Sequence, residues 1–270
     1  MITKIEINKL EDLLDLLKDQ ELDNRIGRYR SSYIYRGLSD ASYNLETSLK
    51  RNCKHKQNEL EKCIIRNFVK YAETNQLNFN SSIWEQIMLG QHHGLPTRML
   101  DWTFSPLVAI HFACNKDNLN EINEKDCCIW KVDINELKGL LPNKYVIQLN
   151  SKNAVVYTAD MLSEIATLDE YDSDMLDSAM VLIEPPSIDQ RIINQYSVFS
   201  AIPMKMTSIE EFLEKYTKNT VKYIINKDLK WRIRDMLDQM NINERIMYPG
   251  LDGLSSWLKR HYFVRGHENV

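Results

Sequence analysis

The chain has 270 residues, 43% of them hydrophobic, enough for one sizeable core without requiring a second domain. Its 34 Lys and Arg against 38 Asp and Glu give a formal net charge of −4, which argues against general coating of nucleic acid and leaves room for a local basic groove. Five cysteines at 53, 63, 114, 127 and 128 form no CxxC pair, and no leader-like start or long apolar run is present, so reduced thiols, a cytoplasmic location and no membrane contact are expected.

Residues 7–20 carry apolar side chains at helical spacing and predict a surface helix within a helical segment over about 1–30. Tyr33-Ile34-Tyr35-Arg36-Gly37 follows, an aromatic and β-branched run that predicts a short buried strand ending in arginine. Arg36 is either a core arginine paired with a carboxylate or a fork for a phosphate or carboxylate, with Gly37 letting a ligand approach the backbone. Residues 41–57 read as a loop with a basic end, and 58–75 as a helix.

The stretch 84–114 spends the least usual residues. Ser81 or Ser82 caps a helix with Ile83, Trp84, Ile87 and Met88 on one face, and Gly94 with Pro96 ends it. His92 and His93 then fall in its last turn, where the helix dipole favours a cation. Met99 and Leu100 read as buried, Asp101 and Thr103 as turn formers, and Ser105-Pro106 as the cap and first residue of a buried helix over 107–114. Polar groups crowded between buried segments either bond to one another or face a cleft. Arg98, Asp101 and His92 therefore read as a site or as a buried network pinning two helices.

Beyond it, 115–126 is a polar surface loop, 127–132 a strand, and 155–157 and 181–183 weaker strands. Residues 187–202 predict a turn or short helix carrying Arg191 and Gln195, then a strand over 198–202. Thr207 or Ser208 caps a helix, 221–225 is strand-like, 227–240 is an amphipathic helix, and a tight turn at 248–254 feeds a last helix. Strands and helices mix without a βαβ rhythm, which predicts an α+β fold. No glycine-rich phosphate loop of standard spacing is present, which argues against an ATPase or dehydrogenase. Adjacent histidines on a helix point roughly 100° apart, and HExxH is absent, so no shared metal is expected.

Four stretches together resemble the FRG domain family: Tyr35-Arg36-Gly37; Gln91 through Thr103 with Ser105-Pro106; Arg191 to Phe199, with Ser197 where the family tends to have glycine; and Pro249-Gly250-Leu251-Asp252-Gly253. The resemblance implies a single domain over 1–270 with its core at about 31–262. A further resemblance links such domains to ADP-ribosyltransferases, which implies mixed, mostly antiparallel central sheets with flanking helices. In that pattern Arg36 ends the first core strand, Thr103 or Ser105 takes the second position, and Gln195 stands where the enzymes usually carry a carboxylate.

The implied activity uses NAD as a substrate to modify a macromolecular acceptor, RNA, DNA or protein, in the setting of a bacterial toxin or anti-phage effector restrained by an antitoxin or chaperone partner. Arg36, Gln195, Asp101 and His92 are the implied catalytic residues. Tyr35, Arg36, Gly37, Arg98, Trp102, Thr103 and Ser105 are the implied NAD-binding residues, the arginines clamping phosphates and Trp102 or Tyr35 stacking. Asp101, Glu184 or Asp252 would replace the missing carboxylate. The same cleft also suits a non-catalytic module that binds a nucleotide or nucleic acid.

Overall fold

The computed structural model describes residues 2–72, 82–187 and 190–266; the expectations for Ser81, 73–75 and 188–189 lie outside them. Nine strands are present among the described residues: β1 (Thr3–Ile7), β2 (Glu21–Asp23), β3 (Arg28–Arg30), β4 (Tyr33–Leu38), β5 (Met99–Thr103), β6 (Cys127–Asp133), β7 (Val181–Ile183), β8 (Ser197–Ala201) and β9 (Val221–Ile225). Seven form one sheet in the order β1-β9-β6-β4-β5-β8-β7, and β2 pairs with β3 in a separate ribbon. Only β1 with β9 is parallel in the sheet; every other neighbouring pair is antiparallel. The fold is thus α+β with one mixed, mostly antiparallel sheet, rather than several central sheets.

Both faces of the sheet are covered, which is why β6 is buried along its whole length. Its alternate residues Cys128, Trp130 and Val132 join Ile34, Trp102 and Val198 against the helix Ile209–Tyr216. On the other face the core divides. Tyr35, Ile129 and Ile225 pack with the helices Pro106–Ala113 and Lys230–Gln239. Met99, Phe199 and Val181 pack with the helices Ile83–His92, Asn143–Ser151 and Leu168–Met175. The Val, Ile, Phe and Met side chains among these each contribute about 1.5–3 kcal/mol by leaving water.

Several expectations need correction. The segment over 1–30 is not helical as a whole: β1, a short helix Leu13–Leu17 and the β2–β3 ribbon occupy it. Pairing with β9 holds residues 3–7 extended, a long-range contact that local periodicity does not report. Asp101 and Thr103 lie in β5, not in a turn. The loop over 41–57 contains the helix Ser48–Cys53, capped by Thr47. Of 155–157, only Tyr157 makes a bridge, to Ile183.

Candidate functional site

The site begins where two neighbouring strands stop matching. β4 and β5 pair at one position, Tyr35 opposite Thr103. Beyond it the Asp101 carbonyl accepts from Arg36 Nη1 at 2.5 Å, and the Asp101 carboxylate lies 3.7 Å from the same nitrogen. A side chain thus supplies the donor that a strand partner would otherwise give. The opening left between the strands encloses about 370 Å³, lined by Arg36, Gly37, Tyr43, Asp101, Arg191 and Gln195 among others.

Arg36 forms the floor, its side chain 19% exposed. Its Nε is buried and has no partner among the described residues. Burial lowers its pKa from the ordinary arginine value while Asp101 works the other way; the guanidinium remains charged at neutral pH. With part of its side chain exposed to the cleft, this charged planar group suits a phosphate or carboxylate of a ligand.

Asp101 is placed by a chain of hydrogen bonds that starts at a helix end. The helix Ile83–His92, capped by Ser82 and Glu85, stops at Gly94, which takes φ +79°. Gly94 N–H donates to the Gln91 carbonyl at 3.1 Å and Leu95 N–H to the Gly90 carbonyl at 2.8 Å, a paired termination that needs a left-handed residue at Gly94. That turn delivers Thr97, whose hydroxyl donates to Gln91 Oε1 at 2.5 Å and accepts from Met99 N–H at 3.1 Å. Gln91 Nε2 then donates to the Asp101 carboxylate at 2.9 Å. The carboxylate is held on one side and open on the other, with 54% of its side chain exposed.

Thr103, Ser105 and Gln195 tie β5 to β8. Thr103 Oγ1 donates to the Gln195 carbonyl at 2.7 Å and accepts from Ser105 N–H at 3.0 Å, while Ser105 Oγ caps the helix Pro106–Ala113 at Val108 N–H. Gln195 ends the helix Gln190–Gln195, and its Nε2 donates to the Met247 carbonyl at 2.8 Å. The left-handed residue after that helix is Tyr196; Ser197 simply starts β8.

A larger cavity of about 800 Å³ adjoins this cleft, and Arg191 borders both. Its walls include His92, His93, Tyr248, Asp252 and Lys259. The fourth motif stretch builds them: Gly250 turns the chain at φ +109°, and Gly253 lets the helix Leu251–His261 close on the helix Glu244–Met247. A Cβ at Gly253 would stand 1.8 Å from the Tyr248 carbonyl oxygen.

The expected site residues are therefore only partly gathered. Arg36, Gly37, Asp101, Thr103 and Gln195 line the cleft, whereas His92 lines the adjoining cavity. Tyr35 is buried and donates its hydroxyl to Asp19, so it cannot stack on a ligand. Trp102 borders the cleft, but its indole is buried and donates to Ser200 at 2.9 Å. Arg98 is sealed between Glu61 and Asp172, with Nε 2.7 Å from Glu61 and Nη1 2.8 Å from Asp172, and is no clamp. Ser105 is spent on the helix cap. Gly37 is required by packing, since a Cβ there would lie 1.9 Å from the Ala109 carbonyl oxygen. Glu184 does not line the cleft, and Asp252 stands in the other cavity.

Gln91, Tyr43 and Phe112 line the cleft and Tyr248 the larger cavity, without having been singled out as site residues. Only Gln91, next to the paired histidines, carried a local signal. Among the described residues no group of three or more His, Cys, Asp or Glu is arranged to hold a metal ion, and no helix is long and apolar enough to cross a membrane.

Residues 31–121 match the model of the FRG domain. The match contains Arg36 and Asp101 and ends before Arg191, Gln195 and the fourth motif stretch. No curated protein and no solved structure matches the chain.

Proposed function

We propose that this chain, with its FRG domain match, is an ADP-ribosyltransferase that transfers ADP-ribose from NAD to a macromolecular acceptor. The observation that carries the reading is the meeting of Arg36, Thr103 and Gln195 around one cleft. Arg36 lies on β4, Thr103 at the end of β5 and Gln195 at the end of the helix that leads into β8, and β4, β5 and β8 are adjacent in the sheet. The transferase resemblance assigns these positions, with Ser105 as the alternative to Thr103 at the second. The donor set also fits: the part-exposed Arg36 guanidinium is suited to a phosphate oxygen, and Asp101 is the carboxylate beside it.

In this reaction the bond from ribose C1′ to the nicotinamide nitrogen breaks, its electron pair leaves with nicotinamide, and an acceptor nucleophile bonds C1′ and loses a proton. Arg36 holds a phosphate or ribose oxygen and fixes the position of C1′. Asp101, oriented by Gln91 and Arg36, faces the positive charge that develops there; a preorganised carboxylate in a cleft stabilises that charge more than bulk water does. Gln195 keeps the turn before β8 against the Met247 carbonyl and shapes the wall.

The test is nicotinamide release, followed beside calorimetric NAD binding, in the wild type and Arg36→Ala with acceptor pools of RNA, DNA and protein. Release that is lost in the variant supports the transferase; a wild type that neither binds nor cleaves NAD sinks it. The neutral Gln195, its amide committed to Met247, favours a second reading, a nucleotide-recognition module. Binding without release across all acceptor pools is its signature.

A further inference from the structure

The cavity beyond Arg191 has no role in the reaction as set out above. At about 370 Å³ the cleft lies near the low end of the roughly 300–1,000 Å³ that encloses a drug-sized ligand, room for a nucleoside and short for a dinucleotide. The adjoining cavity of about 800 Å³ shares Arg191 with the cleft. On the side of Arg191, a dinucleotide whose reactive end sits at Arg36 and Asp101 finds this further volume.

The lining of that second cavity is chemically specific. Arg191 lies over the ring of Tyr248, 5.2 Å from its centre, a cation–π contact that holds the guanidinium at the junction. On the helix Leu251–His261, Asp252, Ser256 and Lys259 follow at i, i+4 and i+7, one face of the helix, and all three line the cavity. Asp252 and Lys259 are exposed, so they meet a ligand without leaving a buried partner behind. The end of the helix Ile83–His92 supplies the wall where the exposed His93 packs edge-on against His92.

We infer that this cavity is a subsite for a nucleoside 5′-phosphate and, on the transferase reading on which this inference rests, takes the adenylate half of NAD. Arg191 receives the phosphate at the junction, Asp252 accepts from the vicinal ribose hydroxyls, and His93 offers a ring face to the base. Arg36 and Arg191 then bracket the pyrophosphate from the two cavities.

The experiment titrates AMP, nicotinamide mononucleotide and NAD calorimetrically into the wild type, Arg191→Ala and Asp252→Ala, with circular dichroism confirming each fold. AMP affinity is expected to fall about tenfold or more in both variants, as loss of a charged hydrogen bond implies. Nicotinamide mononucleotide affinity in Asp252→Ala should stay within about twofold. Unchanged AMP binding in both variants, while NAD binding remains dependent on Arg36, overturns the subsite and leaves the transferase reading standing. AMP binding lost in Arg191→Ala from a wild type that does not bind NAD supports the nucleotide subsite and defeats the NAD reading. A wild type that binds none of the three ligands defeats both.

Discussion

Arg36 and Arg98 stand in opposite situations, and burial separates them. Arg98 is 3% exposed and saturated by Glu61 and Asp172, so removing one partner strands a buried charge. Glu61→Ala should lower unfolding stability in urea by about 3–5 kcal/mol; a loss under about 1 kcal/mol would show that Arg98 relaxes to water. Arg36 instead lines an open cleft with part of its side chain exposed. For Asp101→Asn, which keeps the size of the side chain and removes its charge, we expect nicotinamide release to fall by about a hundredfold or more with NAD affinity changed little. An equal fall in affinity and turnover would make Asp101 a binding residue only. Gly37 limits both: its replacement by alanine drives a Cβ into the Ala109 carbonyl and should cost about 1–3 kcal/mol, by pushing the helix Pro106–Ala113 off β4.

Among the elements, the four helices beneath the larger cavity are joined by charge rather than by apolar packing alone. Glu244 accepts from both Arg234 and Arg260, and Arg260 donates to Asp238 at 2.6 and 2.9 Å. Arg234 Nη1 also lies 3.1 Å from His111 Nδ1, which must therefore accept, leaving the proton on Nε2. Burial, with Arg234 and Arg260 close by, holds the His111 pKa well below the ordinary 6.5. The unfolded chain thus takes up a proton near pH 6.5 that the native state refuses, so this stability is complete above that pH and lost as pH falls below it. Each unit below costs at most about 1.4 kcal/mol. His111→Gln, which keeps an acceptor for Arg234, should flatten the decline in stability between pH 7 and 5; an unchanged slope would assign the decline to other groups. The helices here were readable where caps and apolar spacing agreed, as at Ser82, Ser105 and Ser208. β1 and β5 were not, because parallel pairing with β9 and insertion between β4 and β8 are long-range facts. For the same reason Arg36 and Asp101 were legible as candidates, whereas the Glu61 and Asp172 partners of Arg98, 37 and 74 residues away, were not.

In the whole molecule, the sheet order sets what a ligand can stabilise. β4, β5 and β8 lie side by side, and β4 meets β5 at one pair, so the weakest seam of the sheet is also the wall of the cleft. A ligand held by Arg36 on one strand and by Asp101 on the next would bridge that seam, and at a hundredfold excess over its Kd would add about 2.7 kcal/mol to global stability. Melting should shift upward by several degrees, since 1 kcal/mol moves a chain of this size by about 2–4 °C. Hydrogen exchange then locates the effect: with NAD present, protection should rise at 36–38, 101–103 and 190–195, and, if the second cavity is filled, at 250–256. The β2–β3 ribbon, paired only with itself and largely exposed, should exchange at the same rate with and without ligand. Protection spread evenly over the sheet would mean that the ligand acts on global unfolding alone. Protection confined to the ribbon would place binding away from both cavities and remove the basis for assigning chemistry to Arg36.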